Sequence, residues 1–408
     1  MALGGHRAVR PHDAPRQAEP HRGVFCFWEY MKQRLKIGLL YSTTGPYGTM
    51  GVDARDGAVL AIAELQARYD IEIETVFINP HGDVSAYVEG ARALLREHGC
   101  RHIIGTITSL ARKEVLPLVE KHDALLWYLA PYEGFEANEN VIYIAGCPNQ
   151  HLLPLFDYLI PRYGRRPYLL GANYVWGWEM NRLARELISD VGGEILGERY
   201  LPFEERDVEW IVKDIEQRRP SFIVNNLVGP ASFAFLTAMK ALALRDPAFN
   251  PEKCPVVSCD LTECELDQFA DGVATGQLSV AAYFDSVVSP ENTAFKARVH
   301  QRFGSERRVS SFFASTYTAV MLCVESMVAV KTDDPQSIRM HLAATPKMSL
   351  LGPIRVDENT HHAALPFYIG KINEQLGFDI IASKLPIVAD PYLTGRVKRM
   401  PAQLRVVS

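Results

Sequence analysis

Cysteine is sparse in this chain: seven in 408 residues, at positions 26, 100, 147, 254, 259, 264 and 323. An odd, scattered set is no disulfide framework and suits a reducing compartment. Cys254, Cys259 and Cys264 are spaced too widely for a zinc knuckle, so no metal and no cofactor is expected. Charge of one sign is also lacking. The net charge is −5 and Lys and Arg form no long run, which removes the electrostatic footprint of a nucleic-acid binder. The longest apolar stretch, Phe312 to Val330, carries Glu325 and several hydroxyl residues, so a buried helix is expected there and no membrane insertion.

The catalytic and nucleotide signatures are missing too. Gly45, Gly48 and Gly51 follow the first strand without Gly-x-Gly-x-x-Gly spacing, the next strand ends in Asn79-Pro80 with no acidic residue for a ribose, and no P-loop occurs. No Gly-x-Ser-x-Gly elbow activates a serine, and no local motif joins His102, His122 or His151 to Ser109 or Cys147. These histidines read as surface or cap residues, and the chain as non-catalytic. At the amino end, Ala8 to Gly23 is rich in Arg, His and Pro. The only apolar run there, Val24 to Trp28, falls short of the about 7 to 15 residues of a secretory signal. A cytoplasmic location is therefore expected, with residues 1–31 a flexible leader and translation starting at Met1 or Met31. The leader shows no helix-turn-helix pattern, which counts against a DNA-binding repressor.

What the chain does have is alternation. Short β-branched runs (Leu35 to Tyr41, Ile71 to Asn79, His102 to Thr106, Ala124 to Leu129, Val141 to Ile144) are separated by amphipathic helices, the signature of a parallel α/β sheet. In the second helix Val84, Tyr87, Val88, Ala91, Leu94 and Leu95 make one apolar face, and Gly99 stops it. The pattern restarts after Cys147-Pro-Asn-Gln-His151 with Pro167 to Tyr174, Glu194 to Tyr200, Ser221 to Leu227 and Val256 to Ser258. Two helices, 292–303 and 310–330, precede a β-rich tail from Gly352 to Ile381. The fold class is thus α/β, with two Rossmann-like lobes, several crossover hinges and a ligand cleft between the lobes. The expected boundaries are 32–147 with about 286–345 for one lobe, 148–285 with about 346–390 for the other, and a tail over 391–408.

Carboxyl-end strand tips are where such sheets bind ligands. At one tip Ser109 reads either as the N-cap of the helix Leu110 to Lys121 or as a ligand hydroxyl beside free helix N–H groups. Tyr128 reads as core or as ligand contact. Asn173 to Trp178 brings three aromatics to the matching tip of the second lobe, where they wall a pocket or pack the lobe interface. Asn225, Asn226 and Asp260 end strands of that lobe, as caps or as polar contacts.

Together Gly38 to Ser42, Ser109-Leu-Ala-Arg-Lys113 with Pro117, Pro131-Tyr-Glu-Gly-Phe-Glu136, Pro148-Asn-Gln150, Asn173-Tyr174 and Gly276-Gln277 resemble the amide- and urea-binding branch of the type I periplasmic-binding-protein fold. The resemblance runs in order over about residues 34–392 and is strongest to the amide sensors that regulate aliphatic amidase expression. It implies a clamshell that closes on a small amide, with Ser109, Tyr128 and Tyr174 contacting it. Pro131 belongs to the same wall, and Ser42, Asn226, Asp260 and Tyr283 are further candidates. Ile107, Ala130 and Trp176 stand where such sensors carry tyrosine, threonine and tyrosine, which implies a less polar pocket. The partner implied is an RNA-binding antiterminator protein, and a homo-oligomer is compatible. The alternative is the substrate-binding protein of an ABC transporter for urea, short amides or branched-chain amino acids.

Overall fold

The computed structural model describes Met1, residues 32–270 and residues 272–396. The expected leader over 2–31 and the tail beyond Arg396 lie outside the described residues. The described residues from Gln33 to Arg396 form one compact unit built on two large sheets.

The first half runs β1 (Gln33–Leu40), α1 (Gly48–Arg68), β2 (Ile71–Ile78), α2 (Val84–Arg96), β3 (His102–Gly105), α3 (Ser109–Lys121), β4 (Leu125–Tyr128) and β5 (Val141–Tyr143). These strands make a parallel sheet of order β2-β1-β3-β4-β5. β3 and β4 are buried at every position, as strands covered by helices on both faces must be. α2 starts at Asp83, whose side chain accepts from the Ala86 N–H at 2.8 Å.

After α4 (Leu152–Tyr163) the pattern repeats as β6 (Tyr168–Ala172), α5 (Val175–Asp190), β7 (Gly197–Leu201), α6 (Glu209–Arg218), β8 (Ile223–Asn226), α7 (Pro230–Arg245), β9 (Val256–Ser258), α8 (Glu263–Leu266) and β10 (Leu278–Ala281). α9 (Pro290–Phe303), α10 (Ser311–Val330) and α11 (Pro335–Ala344) follow. The chain then forms a small hairpin, β11 (Lys347–Ser349) and β12 (Gly352–Ile354), and ends in β13 (Leu365–Ile372) and β14 (Phe378–Ile387). The second sheet has order β14-β13-β10-β9-β8-β6-β7; β13 and β14 are antiparallel additions to a parallel core.

α10 is the long apolar stretch. It is mostly buried within the protein and packs along α1, where the backbone of Gly57 lies so near Phe313 that an added Cβ would sit 2.4 Å from its carbonyl oxygen. Both sheets change direction at an inner pair, β1/β3 in the first and β6/β8 in the second. Loops diverging at such a switch point leave a crevice at the carboxyl ends of the strands, and that crevice is where ligands sit in open α/β sheets.

Candidate functional site

The crevices of the two sheets face each other and close on one small cavity. Its first-sheet wall comes from Tyr47 in the loop after β1, Met50 in the first turn of α1, Ile107 in the β3–α3 turn, Ser109 at the start of α3, the segment after β4 (Ala130, Pro131) and Phe312 of α10. Its second-sheet wall comes from Tyr174 and Trp176 after β6, Val228 after β8 and Asp260 after β9. About 20 Å³ remains in which the centre of a water molecule could move, little more than one water requires.

Two glycines make this closeness feasible. Gly105 ends β3 with φ +152°, and a Cβ there would lie 2.2 Å from the Leu40 carbonyl oxygen. The turn over 106–108 can therefore press against β1 and aim Ser109 into the crevice. Gly229 has φ +60° and faces Pro46 of the opposite wall, whose carbonyl oxygen would be 2.9 Å from an added Cβ. The rim is aromatic: the Phe203 ring meets Tyr47 at 5.5 Å and Tyr174 at 4.9 Å, both edge-on.

Ser109 is not the N-cap. Thr108 takes that role, its hydroxyl accepting from the Ala111 N–H at 3.1 Å, and Ser109 is the first helical residue. Relieved of capping, its Oγ–H donates to Glu133 at 2.5 Å. Glu133 also receives Arg112 at 3.2 Å, so the carboxylate is an acceptor and the serine proton points towards it. Ser109, beside the Tyr128 hydroxyl, thereby has its lone pairs left as acceptors, while the first N–H groups of α3 have no intrahelical partner.

Behind Ser109 the resemblance motifs converge. Arg112 is wholly buried, bonds Glu136 at 2.7 Å, and stacks its guanidinium 4.4 Å from the Tyr128 ring centre and 4.6 Å from that of Tyr132. Lys113 reaches Glu136 at 2.8 Å and Tyr143 donates to it at 2.8 Å. Burial by itself would raise the Glu136 carboxyl, but Arg112 and Lys113 outweigh it and hold the group down at about 2. Tyr128 does not line the cavity. Its hydroxyl donates to the Ile107 carbonyl at 3.1 Å and supports the turn from beneath.

The other candidates separate. Ile107, Ala130, Pro131, Tyr174, Trp176 and Asp260 join Ser109 in the wall. Ser42 does not: it bonds Tyr87 at 3.1 Å and accepts from Gly82 at 2.8 Å, which fixes the loop after β1. Asn226 is buried against Asn181 at 3.0 Å, Asn225 holds Ser232 at 2.9 Å, and Tyr283 donates to Asn292 at 2.7 Å beside a separate groove. Trp178 is about half exposed and donates to Asn173, because α5 has begun and helical spacing turns it away from Trp176. His102 and His151, read as surface or cap residues, are buried; His151 does precede α4, and His122 ends α3. Tyr47, Met50, Val228 and Phe312 were not singled out from the sequence, since each lies in a loop or helix with no motif of its own.

In the wall the Trp176 Nε1–H is buried without a hydrogen-bond partner, while the buried Tyr47 hydroxyl faces that of Tyr174. Asp260 accepts from Ser258 at 2.6 Å, and burial pushes its carboxyl up to about 7. No Arg or Lys lines the cavity.

Residues 35–398 match the periplasmic binding protein domain. The chain belongs to that family. Its fold is the type I periplasmic-binding-protein fold, and the family is one of ligand-binding proteins. An amino-acid ABC transporter substrate-binding protein of Pseudomonas fluorescens superimposes with a TM-score of 0.76 at 17% identity, covering 90% of this chain and 99% of that one. An ABC-transporter solute-binding protein of Rhodopseudomonas palustris in complex with p-hydroxybenzoic acid gives 0.78 at 17%, covering 89% and 100%. A branched-chain amino-acid binding protein of Burkholderia xenovorans gives 0.74 at 16%, covering 86% and 96%. These likenesses are of fold. Over 125 residues the chain is also 32% identical to a protein of Geobacillus stearothermophilus described as limonene hydroxylase, a match over 30% of this chain that spans 23% of that protein's length.

Proposed function

We propose that this periplasmic-binding-protein family member closes on a small, uncharged amide-like molecule, a short amide or a urea, held between Ser109 on one side and Trp176, Tyr174 and Asp260 on the other. The observation that carries the reading is the polarity of the unpaired groups. Ser109 offers lone pairs to an N–H, while Trp176 Nε1–H offers a donor to a carbonyl oxygen. A neutral amide has both halves in four heavy atoms. A benzoate or other carboxylate would enter a wall with one buried carboxyl and no Arg or Lys, and an uncompensated buried charge is costly. Ile107 and Ala130 leave the rest apolar.

The ABC-transporter relatives favour a solute carrier that hands the amide to a permease. A second reading is favoured by the way Ser109-Leu-Ala-Arg-Lys113 and Pro131 to Glu136 interlock: these are the segments that resemble amidase-regulating sensors. On that reading the protein is cytoplasmic and its closed form is sensed by an RNA-binding antiterminator.

A thermal-shift panel tests the binding claim, because a ligand that binds only the folded state raises Tm with concentration. Acetamide, propionamide or urea should raise Tm and benzoate and leucine should not; the reverse order contradicts the proposal. Deleting the gene then separates the outputs: loss of amide uptake marks a carrier, and loss of amidase induction with uptake intact marks a sensor.

A further inference from the structure

Asp260 is an acid placed where the protein supplies no cation. It follows β9 and lines the cavity between the two sheets. Its Oδ1 accepts from the Ser258 hydroxyl at 2.6 Å, and the carboxyl also lies against its own backbone N–H. Neither donor carries charge, and no Arg or Lys lines the wall.

The ionisable groups that face it are uncharged as well. Tyr47 stands on the opposite wall, Tyr174 precedes α5, Cys259 is its neighbour in the chain and Glu265 lies on α8; burial holds each of them to its neutral form. His151, before α4, shares the wall of an adjoining cavity with Asp260, and burial lowers it to about 4, so it too is neutral. A carboxylate walled off from water with no cation beside it is costly. In this setting burial pushes the Asp260 carboxyl up to about 7.

That setting lasts only while the cleft is shut. The cavity leaves room for little more than one water, and its walls come from both sheets, so an amide enters only when the sheets part. Parting withdraws Tyr47 and Phe312 from the side opposite Asp260 and admits water to the strand tip. A solvated aspartate has a pKa near 3.9. Glu265 is different, because it is buried on α8 and does not line the cavity.

We propose that shutting the cleft on its ligand takes up a proton at Asp260, so that the protein holds a neutral amide most tightly at acid pH and releases it as pH rises. The inference rests on the amide reading of the cavity. Its sign follows from the two environments of the carboxyl. The shut form has the higher pKa, so between about 4 and 7 the liganded protein holds the extra proton. Affinity should fall by up to about tenfold per pH unit across that window and level off above it.

The test is calorimetry of acetamide binding to the full chain at about pH 5.5, 6.5 and 8, in paired buffers of different ionisation enthalpy, which counts the protons exchanged. About one proton should be taken up per acetamide at about pH 5.5 and almost none at about pH 8. Asp260→Asn, which fixes the group uncharged, should abolish the uptake and bind acetamide about tenfold or more tightly than the wild type at about pH 8. Glu265→Gln should keep the uptake. If acetamide or urea binds with no proton uptake, or if the uptake survives Asp260→Asn, this inference is overturned and the amide reading stands. If no amide or urea binds at any pH, both fall. Where Asp260→Asn fails to fold, the wild-type count decides together with Glu265→Gln: uptake lost in that variant assigns the proton to Glu265 and overturns the inference.

Discussion

At the scale of single residues the proposed site depends on a relay in which Arg112 holds Glu133, Glu133 accepts from the Ser109 hydroxyl, and Ser109 is left as an acceptor. Ser109→Ala should weaken amide binding by about 1–3 kcal/mol, roughly ten- to a hundredfold, in calorimetric titration. An unchanged affinity would remove Ser109 from the site. Arg112→Met should cost about 3–5 kcal/mol of stability by urea unfolding, because it strands Glu133 and Glu136 without a buried cation. Most of that loss should return when both glutamates are made Gln in the same chain, and no recovery would mean that packing of the guanidinium on Tyr128 and Tyr132 dominates instead. The sequence made Ser109 legible through its motif. It hid the direction of the serine proton, which depends on a contact 24 residues away, and it hid the buried state of His151, which depends on a crossover meeting the β4 loop.

At the scale of elements, the strands of the first sheet and β6 to β9 were readable because each is a short β-branched run between helical segments, whereas α8, β10 and α11 were not read from the sequence. Boundaries moved by one to a few residues where a tip bends into a helix, and those shifts mattered. Starting α5 at Val175 keeps Trp176 inside and sends Trp178 out; starting α3 at Ser109 moves the cap to Thr108. The Tyr47–Phe203–Tyr174 contact joins three loops that no local pattern connects. Phe203→Ala should release that clasp and weaken ligand binding by about 0.5–1.5 kcal/mol, mainly through faster dissociation in stopped-flow measurements. Equal loss in association and dissociation rates would argue that the ring shapes the open form instead.

For the whole molecule, buried ionisable groups predict the pH response. Burial lowers His102, His151 and His362 to about 4. Their unfolded values lie near 6.5, so the unfolded chain binds more protons between those limits and these groups favour folding more as pH rises to about 6.5. Burial raises Asp260 to about 7 and Glu263 to about 8. The folded chain then holds the extra protons, and their contribution, complete below about 4, is lost as pH rises through 7 and 8. The two trends oppose each other at acid pH. Above about 6.5 only the carboxyl trend remains, so stability should fall from pH 6.5 to 8 by at most about 1.4 kcal/mol per pH unit for each group, as followed by urea midpoints. Glu263→Gln should flatten that decline. The two-sheet architecture was visible in the sequence because its alternation repeats, whereas the cavity it encloses was not, since Phe312 and Asp260 reach it from segments far apart in the chain.

The central claim is that a neutral amide is recognised between the switch points of the two sheets. Calorimetric titration of the full chain at pH 7 with acetamide, propionamide, urea, benzoate and leucine, repeated with Trp176→Phe, tests it most directly. The account predicts saturable binding of an amide or urea, weakened about tenfold when the indole N–H is removed, and none of benzoate or leucine. Tight binding of benzoate or leucine, with affinity indifferent to Trp176→Phe, would contradict it.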